Sequence, residues 1–60
     1  MKAFAELDRK TGQYFPAIDW GNGKILTYSP TSFSEERAIE IAENILKVTV
    51  DALDAMKNLP

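Results

Sequence analysis

The sequence predicts an α+β domain in which a three-stranded antiparallel sheet precedes one long C-terminal helix. Short strand-like segments fill the first thirty positions, and two glycine-containing turn signals separate them, DRKTG at 8–12 and GNG at 21–23. After Pro30 no glycine or proline occurs until Pro60, and apolar residues recur with the 3.6-residue period of a helix. Residues 1–60 are therefore interpreted as a single β-β-β-α domain.

The first two strands are predicted at residues 2–8 and 13–19, joined by the turn DRKTG. Asp and Thr side chains in such a turn bond nearby backbone groups, and Gly12 permits a positive φ angle. Pro16 lies inside the second strand and has no N–H to donate to a neighbouring strand. We therefore expect Pro16 on an edge strand or at a bulge.

The third strand is predicted at residues 24–29, and Pro30 ends it. The preceding GNG segment contains Asn22–Gly23, which is typical of a tight hairpin turn. Glycines also occur in phosphate-binding loops, but this segment lacks the strand–loop–helix context and the lysine of a P-loop. A hairpin turn is therefore the interpretation.

The helix is predicted over about residues 33–57. Ser32 with Glu35 matches a capping box, whereas a start at Ser34 places acidic residues at the positive end of the helix dipole. Both starts stay open at this point. The β-branched run at 48–50 lowers helix propensity, so a fourth strand is the alternative there.

The apolar arc of this helix is wider, and the helix longer, than one small sheet can cover. The arc spans about 200°, whereas packing on one sheet needs little more than about 100°. The helix length of roughly 35 Å also exceeds the roughly 20–23 Å of the strands. The residues expected to lack cover, called the helix stripe below, are Ile39, Leu46, Val50 and Leu53. We expect a second copy of the chain to cover the stripe in a symmetric homodimer, with loops of the same chain or a different protein as alternatives.

The composition argues against catalysis. The chain has no cysteine and no histidine, so it has no disulfide, lacks the usual zinc ligands and offers no His or Cys for general-base or nucleophilic catalysis. We predict no enzymatic activity, no catalytic residues, no cofactor and no metal. Glu36, Glu40 and Glu43 share one helix face and could hold a hard cation, but a solvated face partly neutralised by Lys47 is the simpler interpretation.

Charge and hydropathy indicate the cellular compartment and the class of partner. No stretch approaches the roughly 20 apolar residues of a membrane span, and Glu6 interrupts the N-terminal apolar run, unlike a signal peptide. We therefore expect a cytoplasmic protein without membrane contact. The net charge of −2 argues against strong non-specific nucleic-acid binding, which needs a basic footprint.

Aromatic and basic residues in the strand half leave one binding alternative. Such residues on a sheet can stack and hold single-stranded nucleic acid. The candidate ligand or nucleic-acid face comprises Tyr14, Trp20, Tyr28, Lys10 and Lys24. The competing interpretation assigns half of the aromatic residues to the core and the others to covering the sheet, since the first thirty residues carry a net charge of only +1 from four basic and three acidic residues.

Three motifs carry a family resemblance, D-R-K-T-G-Q-Y-F at 8–15, N-G-K-I-L-T-Y-S at 22–29, and Phe33–Ser34 leading into the helix. Together they resemble the small YegP-like family, whose members contain a β-β-β-α unit. Many members carry two units in tandem, packed as a pseudo-symmetric pair, so the resemblance implies that a single unit dimerises. The sequence departs from the family at Pro16 and in its longer helix. The family has no firmly assigned activity, so the resemblance supplies no site residue.

Two further motifs are Y-F-P-A-I-D at 14–19 and S-F-S-E-E-R-A at 32–38. They bear a weaker resemblance to HicB-like antitoxin domains, without the Pro-Gly-Cys stretch expected between them. It implies an inhibitor that binds a partner protein. The function predicted first is a non-enzymatic homodimeric interaction module, with sheet-face nucleic-acid binding and antitoxin-like binding as the alternatives.

Overall fold

The computed structural model describes residues 1–58, and these form three strands followed by one helix. The elements are β1 (Lys2–Asp8), β2 (Gln13–Asp19), β3 (Ile25–Thr27) and α1 (Glu35–Lys57). The strands make one antiparallel sheet in the order β1-β2-β3. The α+β fold class is confirmed, with β1 and β2 at their predicted bounds, while β3 is shorter than the predicted 24–29 and α1 begins two residues later than predicted.

The β1–β2 hairpin is closed by the turn that the sequence predicts. The N–H of Gly12 donates to the carbonyl of Asp8 at 2.8 Å, and Gly12 has a φ of 74°. The Asp8 carboxylate accepts from the Lys10 N–H and from the Thr11 hydroxyl, each at 3.0 Å. Asp, Thr and Gly therefore act as expected, and the turn sets Asp8 opposite Gln13.

Pro16 lies in the middle of the central strand, opposite Ala5, so the expectation of an edge strand is wrong. The Tyr28 N–H donates to the Pro16 carbonyl at 2.8 Å. The nitrogen and the C=O group of one strand residue point to the same side, so the Pro16 nitrogen, which carries no hydrogen, also faces β3. The pairing of β2 with β1 therefore loses no hydrogen bond at Pro16.

On the β3 side the ladder is interrupted beside Pro16. β3 ends at Thr27, and pairing resumes only at the bridge between Tyr14 and Ser32, so residues 29–31 lie opposite a single residue of β2. This irregular segment is a bulge, and it agrees with the alternative expectation that Pro16 lies at a bulge. It also explains why β3 ends before residue 29, since Pro16 offers the Tyr28 carbonyl no donor.

The β2–β3 loop is longer than a two-residue turn at Asn22–Gly23. The Trp20 N–H donates to the Lys24 carbonyl at 3.1 Å, which leaves three residues, 21–23, in the loop. The Asp19 carboxylate accepts from the Gly21 N–H at 2.9 Å and fixes its start. Lys24 closes the loop through this bond, and β3 begins at the next residue, Ile25.

Ser34 is the N-cap of α1. Its backbone is extended, and its hydroxyl accepts from the Arg37 N–H at 3.2 Å. The capping box from Ser32 does not form, because the Ser32 hydroxyl accepts from the Ser34 N–H instead. Residues 48–50 are helical, so the alternative of a fourth strand is wrong. Propagation of an already formed helix outweighs the weak propensity of this β-branched run, in which Val48 is exposed and the other two residues are half-buried.

The helix packs on β1 and β2. Within residues 1–58 the buried positions are Pro16, Ala17, Ile18, Ala38 and Ala42. Pro16 and Ile18 are the largest fully buried side chains and share one face of the sheet by alternation, so that face lies under the helix. Three of the five buried residues are alanines, which makes this a small core.

Candidate functional site

The helix stripe is only partly covered by the sheet. Ile39, Leu46 and Val50 are half-buried, and Leu53 is 49% exposed. By contrast Ala38 and Ala42, which face the sheet, are fully buried. The stripe therefore borders the core and keeps part of each side chain in contact with solvent.

Beyond Val50 the helix extends past the sheet. Every residue from Asp51 to Asn58 is exposed, including Leu53 and Met56, which is 66% exposed. The described chain measures 48 × 22 × 14 Å, so the roughly 35 Å helix must lie along the longest dimension. The exposed helix end is called the overhang, residues 51–58.

The whole chain exposes more surface than its mass predicts. Its accessible surface is 4597 Å². A compact monomer of 6.7 kDa is expected to expose about 3,900 Å². Its radius of gyration is 13.0 Å, against about 10 Å for a compact chain of this length. The excess of about 700 Å² reflects the elongated shape, in which the overhang lies beyond the sheet.

The outer edge of β1 is a second incomplete surface. Tyr14 exchanges backbone hydrogen bonds with Ser32, so the even-numbered residues of β2 point their N–H and C=O groups towards β3. The odd-numbered residues of β2 therefore point towards β1, and their partners in β1 are the even-numbered residues. The remaining backbone groups, those of Ala3, Ala5 and Leu7, point outward to a side where the described chain has no strand. They are called the open edge of β1.

The outer edge of β3 is much shorter. Leu26 pairs with Ile18, so Ile25 and Thr27 are the β3 residues whose backbone groups point outward. All three residues of β3 are exposed. The helix packs on β1 and β2, so β3 forms an uncovered border of the fold.

The structure divides the candidate ligand or nucleic-acid face. Trp20 and Tyr28 are half-buried and joined by a 3.3 Å hydrogen bond from the indole N–H to the phenolic oxygen. Half-buried Tyr14 lies on the same sheet face by alternation, and this face carries the helix. Lys10 and Lys24 are exposed in turns at opposite ends of β2, roughly 20 Å apart along a seven-residue strand. The aromatic residues therefore share a face, but the two lysines do not join them in one cluster.

The acidic helix face is solvated. Glu40 forms an exposed ion pair with Arg37 at 2.8 Å, rather than contributing to a carboxylate cluster. In the part of the chain that the structure describes, no group of three or more carboxylates is placed to hold a metal ion. Nor does any helix among residues 1–58 combine the length and apolar character that crossing a membrane requires.

No protein-family model, curated protein or solved structure matches this chain. The YegP-like and HicB-like resemblances therefore remain predictions. The geometry of the stripe, the overhang and the open edge of β1 is what bears on function.

Proposed function

We propose that this chain is a non-enzymatic interaction module that acts as a homodimer, with the helix stripe in the interface. The observation that carries the proposal is the continuous line of incompletely covered apolar side chains from Ile39 to Leu53 along α1. A charged or polar surface would be expected on a helix flank that faces only water. The proposal includes the cytoplasmic location expected from the sequence.

The small core supports this proposal. A 60-residue chain buries only about 60% of its unfolded surface and gains stability from disulfides, metals or oligomerisation. The chain has no cysteine, and Ile18 is its only large aliphatic residue that is fully buried within residues 1–58. Burial of the stripe against a second copy would supply the missing apolar contact.

The charges at the two helix ends favour a second copy in antiparallel orientation. Glu35 and Glu36 lie in the first turn of α1 and Lys57 lies in the last turn. Antiparallel helices bring the acidic first turn of each chain towards the C-terminal half of the other helix, where Lys47 and Lys57 lie, and their dipoles oppose each other favourably. A parallel pair would place like charges together.

Sedimentation equilibrium at high micromolar concentration tests the proposal. We expect a mass of twice 6.7 kDa for the wild-type chain. We expect Leu53→Glu to weaken the dimer at least tenfold, because about 1.4 kcal/mol corresponds to tenfold and a buried unpaired carboxylate costs more. Leu53 lies in the overhang, so the substitution leaves the packing of helix on sheet intact.

Val48→Glu is the matched control. Val48 is 67% exposed and lies on the opposite flank of the helix, so the same charge there should leave the dimer unchanged. A monomeric wild-type chain would overturn the proposal. If the two substitutions weakened the dimer equally, the stripe would not be part of the interface.

A further inference from the structure

The open edge of β1 lacks most of the features that keep strand edges apart. β1 has seven residues, no proline and no glycine, and it pairs with β2 along its whole length without a bulge. Natural sheets protect their edges with short strands, prolines, bulges or charged side chains, and of these β1 has only charged side chains, at Lys2, Glu6 and Asp8. β3 has such protection, since it has three residues and ends beside an irregular segment. The long edge of β1 is therefore the one able to receive another strand.

We propose that the second copy docks on this edge, so that β1 of each chain pairs antiparallel with β1 of the other, centred on Phe4. The two sheets then form one six-stranded sheet with both helices on the same face. This inference rests on the proposed function and adds the strand contact that fixes the geometry of the dimer. It uses the outward backbone groups of Ala3 and Ala5, which bond each other across the two chains.

Charge complementarity favours this register. It sets Lys2 of each chain opposite Glu6 of the other, Phe4 opposite Phe4, and Leu7 opposite Met1. Leu7 and Met1 are 47% and 68% exposed in the single chain, so this register covers both.

A register centred on Ala5 would instead place Phe4 opposite a Glu6 carboxylate. It would also place Lys2 opposite Asp8, whose carboxylate already accepts two hydrogen bonds inside its own turn. The register centred on Phe4 leaves those turn bonds undisturbed.

The spacing of the helices also fits. Neighbouring strands lie about 4.8 Å apart, and α1 packs on both β1 and β2. A helix midway between them would lie about 9.6 Å from its symmetry mate, two strand spacings away. Packed helices are separated by about 8–10 Å. Pairing through β1 therefore brings the two helices into contact without moving either one on its sheet.

The handedness of the chain directs the stripe towards that contact. Consider the sheet seen from the helix side with β2 running upward. In an L-amino-acid strand, the residues whose side chains face the viewer point their N–H and C=O groups to the right. These are the even-numbered residues of β2, which bond towards β3, so β3 lies to the right of β2 and β1 lies to its left. The helix starts beside Ser32 at the lower end of β2 and runs upward along the 48 Å dimension. In a right-handed helix viewed this way, the stripe lies about 70° from the buried Ala38–Ala42 line, on the left. It therefore faces β1 and the second helix.

Two proline substitutions test the strand contact. Ala5→Pro removes an outward N–H in the middle of β1, and Thr27→Pro removes an outward N–H in β3. A proline whose missing N–H faces solvent is tolerated in an edge strand. We expect sedimentation equilibrium to show a dimerisation affinity at least tenfold weaker for Ala5→Pro than for the wild type. The affinity of Thr27→Pro should equal that of the wild type. Circular dichroism checks that both variants keep the fold.

The outcomes separate this inference from the proposed function. A wild-type monomer would overturn both. A dimer that persists in a folded Ala5→Pro variant but is lost in Leu53→Glu would overturn the strand pairing and keep the helix contact. Loss of the dimer only in Thr27→Pro would assign the contact to β3 and contradict this inference. If Ala5→Pro does not fold, synthetic protein with N-methylalanine at position 5 repeats the test, and a persisting dimer overturns the pairing.

Discussion

The two edges of this small sheet differ in what they offer to another chain. β1 presents seven residues with outward backbone groups at Ala3, Ala5 and Leu7, while β3 presents three residues and then an irregular segment. The cause lies in the central strand, where Pro16 withholds its hydrogen-bond donor only from the β3 side. One residue in the middle strand thus shortens one edge and leaves the other complete.

The comparison shows that a proline inside a sheet can determine which edge is available for pairing. The helix adds to the asymmetry, since it packs on β1 and β2 and leaves β3 uncovered. Its stripe faces the side of the complete edge. Backbone groups and apolar side chains that lack partners therefore lie on the same side of the molecule.

The largest expected effect concerns the central strand that both edges share. Ile18→Ala removes the largest fully buried side chain, so we expect a loss of about 2–5 kcal/mol in the free energy of unfolding. That is a large part of the stability of a domain this small, whose total is on the order of 5–15 kcal/mol at most. Urea unfolding at fixed protein concentration measures the difference.

Ile25→Ala makes the same chemical change on the β3 edge, where the side chain is 51% exposed. We expect a loss of at most about 1 kcal/mol and an unchanged dimer mass. A loss as large as that of Ile18→Ala would mean that β3 is covered by something, and the contrast between the two edges would no longer hold.

A smaller effect tests the register at the β1 edge. Lys2→Glu places a glutamate opposite Glu6 twice per dimer. We therefore expect the association constant of the dimer to fall by about two- to thirtyfold. The double variant Lys2→Glu with Glu6→Lys restores the opposite charges and should recover the wild-type value. Analytical ultracentrifugation at low ionic strength measures the change, since salt screens such pairs. A double variant no tighter than the single one would exclude the register centred on Phe4.

Much of the fold follows from local signals in the sequence. The turn at residues 8–12 and the long helix were predicted because glycine, proline and 3.6-residue periodicity act over short distances. The position of the helix stripe follows from counting around one helix, but the sheet covers Ile39, Leu46 and Val50 more than the sequence predicts. Its use as an interface remains a prediction.

The parts that sequence reasoning missed depend on long-range pairing. Pro16 in a central strand contradicts a local rule, and only the pairing of Tyr28 and Ser32 with β2 shows how the sheet accommodates it. The open edge of β1 was missed for the same reason, because alternation alone does not tell which side of a strand is paired. The candidate set of aromatic residues and lysines was grouped by proximity in sequence, which could not reveal that Lys10 and Lys24 lie at opposite ends of β2.

Amide hydrogen exchange at the two edges, measured by NMR as a function of protein concentration, tests whether a second copy pairs with β1. We expect the outward N–H groups of Ala3 and Ala5 to exchange slowly at high concentration and faster on dilution, because the second copy bonds them. The outward N–H groups of Ile25 and Thr27 should exchange rapidly at every concentration. Rapid exchange at Ala3 and Ala5 at concentrations where the chain sediments as a dimer would show that β1 is not paired.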